Sequence, residues 1–136
     1  MKGEQDPILS GVEILLADDE PNIRTTIHDV LHKYRVAVTV AANGAEACDR
    51  LDAGEFDLVL SDIRMPDKNG YEVFAHARTK SQALPVILMT GFGYDPAHSI
   101  VRASQEGLQA VLFKPFKVEQ LLAEIRKALA QQPARA

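Results

Sequence analysis

The sequence predicts an α/β fold: an open, doubly wound parallel sheet with helices on both faces. Three observations predict it. Short apolar runs alternate with longer amphipathic runs five times along the chain. The apolar runs are near-continuous rather than alternating, so both faces of their strands are covered, as in parallel sheets. Several of them stop at a charged or hydroxyl residue, where α/β folds of this kind place their chemistry.

The elements follow in order. "VEILLA" (12–17) reads as the first strand. "EPNIRTTIHDVLHKY" (20–34) reads as a helix, with Pro21 near its start and Ile23, Ile27, Val30, Leu31 and Tyr34 on one side. "VAVTVA" (36–41) is a β-branched strand, and "NGAEACDRLDAGE" (43–55) a helix with an asparagine start and a glycine stop. "FDLVLSD" (56–62) is a strand, "NGYEVFAHART" (69–79) a helix and "PVILMT" (85–90) the fourth strand. "PAHSIVRASQEG" (96–107) is a helix closed by Gly107, and "AVLF" (110–113) the fifth strand. "KVEQLLAEIRKALA" (117–130) is the last helix, with Val118, Leu121, Leu122, Ile125 and Leu129 on its apolar stripe. Right-handed crossovers place these helices on both faces of the sheet.

Composition bounds the function. The 136 residues suit one compact domain, with 46% apolar and 25% charged residues. No apolar run approaches the about 20 residues that span a bilayer, and the polar start "MKGEQDPILSG" has no signal-peptide core, so no membrane role is expected. The net charge of −4 and the scattered lysines and arginines argue against direct nucleic-acid binding. Cys48 stands alone, which suits a reducing cytoplasm, and reads as a buried small residue.

The carboxyl ends of the strands collect Asp18 and Asp19 from the first, Asp62 from the third, Thr90 from the fourth and Lys114, followed by Pro115, from the fifth. Three carboxylates with no nearby arginine suit a hard divalent cation with oxygen ligands, best Mg²⁺. Asp18-Asp19-Glu20 alone could be a solvated helix start; Asp62, Thr90 and Lys114 in register make a metal site the better reading. Asp62 stands apart in sequence and can act as both ligand and nucleophile toward a phosphoryl group. The metal and Lys114 would offset charge on the transferring oxygens, and Thr90 could donate its hydroxyl to one of them, with Gly91 leaving room.

With these residues in place the chain resembles the receiver domain of two-component response regulators, across about residues 10–131. "LLADDEPN", "DLVLSDIRMPDKNGYEV", "PVILMTG" and "LFKPF" carry the resemblance, in that order. It implies a flavodoxin-like (βα)5 sandwich with strand order 2-1-3-4-5. It implies phosphotransfer from the phosphohistidine of a histidine kinase or phosphotransfer protein to Asp62, with Mg²⁺ or Mn²⁺. By position, Asp18 and Asp19 form the metal site with Asp62 and the backbone carbonyl of Arg64. Thr90 is then the switch hydroxyl, Lys114 the phosphate-binding lysine, and the Lys114–Pro115 bond cis. Two departures stand out. Val111 occupies the place three before the lysine where the family usually has Tyr or Phe, with Phe113 of the same strand parity the other carrier of that role. The segment "GFGYDPAHS" after Thr90 is longer than typical, as in receivers attached to hybrid sensor kinases.

Residues 1–9 read as an N-terminal extension and 132–136 as a tail. No output domain fits beside the receiver, so the expectation is a single-domain regulator or a receiver excised from a hybrid kinase or larger regulator. It would act in the cytoplasm on a downstream protein or linked output domain, and phosphorylation could drive dimerisation. A haloacid-dehalogenase-type phosphatase is the competing enzyme class, but it needs a second Asp two past the nucleophile, where Arg64 stands. His28 and His32, four apart on the first helix, have metal-binding spacing, yet without an evident third ligand they read as ordinary surface histidines.

Overall fold

The computed structural model describes residues 6–91 and 108–130. Strands β1 (Glu13–Ala17), β2 (Ala37–Ala41), β3 (Leu58–Asp62), β4 (Val86–Thr90) and β5 (Leu108–Phe113) form one parallel sheet in the order β2-β1-β3-β4-β5. Helices α1 (Pro21–His32), α2 (Gly44–Ala53), α3 (Gly70–Lys80) and α4 (Val118–Ala130) pack on it. The expected doubly wound fold and its strand order are borne out. The helix expected over 96–107 lies outside the described residues.

Strand alternation divides the core in two, because successive side chains point to opposite faces. On one face Leu15, Val59 and Leu88 pack with Ala47, Cys48 and Leu51 of α2 and Val73, Phe74 and Ala77 of α3. On the other, Ile14, Leu16, Leu60 and Met89 pack with Ile27 and Leu31 of α1 and Leu121, Leu122 and Ile125 of α4. Every residue of β3 and β4 is buried, which is why their sequences carry no polar alternation.

The helix ends are set by local chemistry. Asn43 starts α2 by accepting from the Glu46 backbone N–H at 2.7 Å. Asn69 and Glu72 form a reciprocal capping box at α3, each bond 2.9 Å. Helix α1 closes in a Schellman pattern, with Val36 N–H on the Leu31 carbonyl and Arg35 N–H on that of His32. Arg35 takes the left-handed position, φ 63°, that glycine usually fills there.

Part of the N-terminal extension packs onto the domain. Leu9 is fully buried in the α1/α4 core. Asp6 accepts from the backbone N–H of Ile8 and Leu9 and from Arg126 of α4, at 2.9 Å from Nε and 2.8 Å from Nη2. The Arg126 guanidinium in turn lies over the Tyr34 ring, 5.7 Å from its centroid. Among the described residues no helix is long and apolar enough to cross a membrane.

The topology also fixes where a site can form. The chain runs from β1 to β2 on one side and returns through α2 to β3 on the other. The carboxyl ends of β1 and β3 therefore flank the crevice at the switch point of the sheet.

Candidate functional site

Asp18 follows β1 directly, and its N–H still bonds the Ala41 carbonyl of β2 at 3.1 Å. Its side chain is fully buried. One carboxylate oxygen accepts from the Glu20 N–H at 2.9 Å, which turns the chain into α1. The other accepts from Lys114 Nζ at 2.8 Å. Asp62 ends β3 and is 7% exposed. Carboxylate oxygens of Asp18, Asp19 and Asp62 lie within 4.8 Å of one another, with Asp19 exposed and the other two buried.

Lys114 reaches the two buried acids of this cluster. Beside its bond to Asp18, Nζ stands 3.5 Å from Asp62 Oδ1 and 3.6 Å from Glu20 Oε1. The Lys114 backbone N–H bonds the Thr90 carbonyl at 2.8 Å, so the ends of β4 and β5 are tied together. The Lys114–Pro115 bond is cis, as the resemblance implies. Thr90 is buried. Asp19, Glu20, Asp62, Arg64, Gly91 and Lys114 line a cavity of about 390 Å³ over the cluster.

Three carboxylates around one ammonium leave an excess of negative charge. Burial, and then the neighbouring Asp18 charge, push the Asp62 carboxyl up to about 6, against the pull of Lys114. Burial by itself would lower the Lys114 ammonium. The Asp18 hydrogen bond and the charges of Asp18, Asp62 and Glu20 outweigh it and hold the lysine above its ordinary value. Adjacent like charges at about 4 Å cost on the order of 4 kcal/mol at an effective dielectric of about 20, so this cation matters. In this structure Lys114 Nζ itself sits among the acids, beside Asp18 and Asp62. The expectation of no nearby arginine is corrected: Arg64 lines the acidic cavity, and Arg24, one turn into α1, donates from Nη1 to the Asp18 backbone carbonyl at 2.7 Å.

The loop between Asp62 and α3 is held by two close approaches. A Cβ at Gly70 would lie 2.5 Å from the Asp62 carbonyl oxygen and 2.8 Å from the Ile63 Cα. The Gly70 N–H bonds the Ile63 carbonyl at 2.8 Å. A Cβ at Gly44, where α2 begins, would run into the Lys68 backbone carbonyl. These glycines let two helix starts close against the loop; only the three-dimensional path of the chain reveals that need. Gly91, by contrast, is under no such demand, since a Cβ there would meet Lys114 Cβ at an ordinary 3.6 Å.

Of the two candidates for the strand-five position, Val111 is half-buried against the α2/α3 core. Phe113 stands opposite Thr90 in the β4–β5 register and is 59% exposed. The long segment after Gly91 lies outside the described residues.

A model of the response regulator receiver domain matches residues 14–126. The chain belongs to that family. Among curated relatives of this receiver is the DNA-binding transcriptional regulator NtrC of Rhizobium meliloti, 32% identical over 127 residues, 93% of this chain and 26% of the relative. The chain spans about a quarter to about half the length of the curated relatives it matches. Among solved structures, response regulator TrrA of Thermotoga maritima in complex with Mg²⁺ and BeF is 31% identical, with a TM-score of 0.77 over 86% of this chain and 98% of that one. The receiver domain of sensor histidine kinase PA1611 of Pseudomonas aeruginosa, with magnesium in its active-site cleft, is 27% identical, with a TM-score of 0.75 over 90% and 100%. Receivers form a family of phosphoacceptor switches that bind Mg²⁺ in an acidic pocket, and the Asp18/Asp19/Asp62 cluster fits that chemistry.

Proposed function

We propose that this receiver accepts a phosphoryl group on Asp62 from the phosphohistidine of a histidine kinase or phosphotransfer protein. The observation that carries the reading is the close set of Asp18, Asp19 and Asp62 oxygens with Lys114 Nζ among them. A carboxylate oxygen of Asp62 attacks phosphorus as the phosphorus–nitrogen bond to the imidazole breaks, leaving an acyl phosphate. Asp19, Asp62 and the Arg64 carbonyl would hold Mg²⁺, or Mn²⁺ in its place, with Asp18 completing the acidic pocket. The cation supplies charge neutralisation at the reacting oxygens. Lys114 turns from the carboxylates toward the incoming phosphoryl oxygens, and Thr90 donates its hydroxyl to one of them. The product carries roughly two negative charges beside a buried cluster, enough to reorganise what it touches.

A mostly apolar groove of about 490 Å³ runs beside the cavity, between Ile23, Ile27 and Val30 of α1 and Phe116, Val118 and Leu121. It shares Glu20, Gly91 and Lys114 with the acidic cavity, so a histidine-bearing helix seated there would deliver its phosphoryl group to Asp62. The output is a switch in binding to a downstream protein or a linked output domain, in the cytoplasm, and dimerisation is one form it can take. Asp6 and Leu9 belong to the working unit along with residues 10–131.

The test is incubation with a small-molecule phosphodonor and Mg²⁺. One phosphoryl group should be added, be lost in alkali, and be absent in Asp62→Asn and in metal-free buffer. Mass spectrometry placing the group on a histidine or serine would overturn the mechanism.

A further inference from the structure

Helix α1 carries a second pair of metal-ligand side chains, outside the acidic crevice. His28 and His32 are one helical turn apart and so share a face. Their rings stack with centroids 5.9 Å apart and planes within 7°. Buried Ile27 and Leu31, beside them in sequence, anchor this part of the helix in the core. His28 Nδ1 lies 3.2 Å from Asp29 Oδ1. An ionised carboxylate can only accept, so a hydrogen bond here takes the Nδ1 proton, and in the neutral ring Nε2 is then the nitrogen open to an ion. A carboxylate on one ring nitrogen is how metal-ligating histidines are commonly oriented through the other. The His28 side chain is 43% exposed and His32 is exposed, so an ion can reach both rings.

We propose that His28 and His32 form a two-histidine site for a borderline divalent transition ion of the Zn²⁺, Ni²⁺ and Cu²⁺ class, with water completing the shell. Rotation about the side-chain torsions brings the two rings onto one ion; the backbone already supplies the spacing. Imidazole nitrogen suits these ions, whereas Mg²⁺ takes oxygen ligands. The domain would then carry two cation sites sorted by ligand type: oxygen at the crevice, nitrogen on α1. Among the described residues the crevice acids are the only group of three or more side chains placed to hold a metal. The α1 site is therefore bidentate. Lys33 and Arg35 follow it in sequence and add positive charge that keeps its affinity modest. An ion bridging one turn of α1 binds the native helix more tightly than the unfolded chain, where the two histidines are not held at this spacing, so it raises thermal stability by mass action.

Isothermal titration with Ni²⁺ in excess Mg²⁺, which fills the crevice, tests this. One Ni²⁺ per chain is expected, with a rise in the thermal midpoint. His28→Ala and His32→Ala should each weaken binding about tenfold or more and remove the thermal rise. Asp29→Asn should weaken it less, and Asp62→Asn should leave it unchanged. Undiminished Ni²⁺ binding in His32→Ala, no binding to the wild-type chain, or loss of binding in Asp62→Asn would overturn the assignment. Failure of phosphorylation at Asp62 would leave this result untouched, since its readout is the ion alone.

Discussion

Replacing Asp62 by asparagine should make the metal-free protein more stable at neutral pH. The Asp62 carboxyl is displaced from its ordinary 3.8 to about 6, first by burial and then by the Asp18 charge. A group whose folded pKa lies above its unfolded one makes the native state bind more protons across that interval, so stability falls as pH rises from about 4 to about 6. The displacement corresponds to about 3 kcal/mol at its full value. Solvent in the open cavity screens part of it, and the asparagine gives up the 3.5 Å approach of Lys114, so the expected gain is about 1–2 kcal/mol. The amide keeps the shape of the side chain. Urea denaturation of both proteins in chelator should show the difference at pH 7 and its disappearance near pH 4. In saturating Mg²⁺ the gap should shrink or reverse, because the cation binds the wild-type native state. An asparagine variant no more stable at pH 7, or a gap that does not change between pH 4 and pH 7, would refute the charge argument.

Lys114→Met should leave the buried Asp18 without its counter-charge and cost about 3–5 kcal/mol in metal-free buffer, with partial recovery in Mg²⁺; thermal denaturation with and without the cation reads both. Gly70→Ala should destabilise the fold by about 1–3 kcal/mol, because the new methyl meets the backbone of Asp62 and Ile63 rather than a movable side chain, as urea denaturation would show. Arg35→Gly should raise stability by about 0.5–1 kcal/mol by relieving the left-handed backbone at the close of α1, and circular dichroism melts would detect it. Thr90→Ala should leave the yield of phosphorylated Asp62 largely intact and blunt the conformational response, followed by hydrogen exchange with a beryllofluoride mimic.

The sheet was legible in the sequence because burial on both faces leaves a plain mark: near-continuous apolar runs in β1, β3 and β4 that lead to Asp18, Asp62 and Thr90. The convergence of those ends with Lys114 follows from parallel topology alone. What the sequence hid depends on distances between remote segments. Nothing in the short Ile8-Leu9 pair after a polar start announces that Leu9 is a fully buried core residue held down through Asp6 and Arg126. Counting charges could not show that Lys114 bonds Asp18 more closely than Asp62, or that Arg24 reaches back to the Asp18 carbonyl. Tyr34 belongs to the apolar face of α1, as its spacing suggests, yet lies past the helix, because the closing turn carries it onto the core. Parity placed Val111 and Phe113 on one side of β5, but the contrast between a packed valine and an exposed phenylalanine depends on where each lies along an edge strand.

The glycine contacts around Asp62 have a mechanical consequence. Gly70 presses the start of α3 against the Asp62 and Ile63 backbone, and Gly44 presses the start of α2 against Lys68. The capping box at Asn69 locks the same stretch from within. On that flank the crevice is a fixed jaw. If Asp62 takes the phosphoryl group as proposed, the tight backbone contacts on this flank would direct the displacement toward the strand ends that carry Thr90 and Lys114. On that reading, rigidity on one side would give the signal its direction.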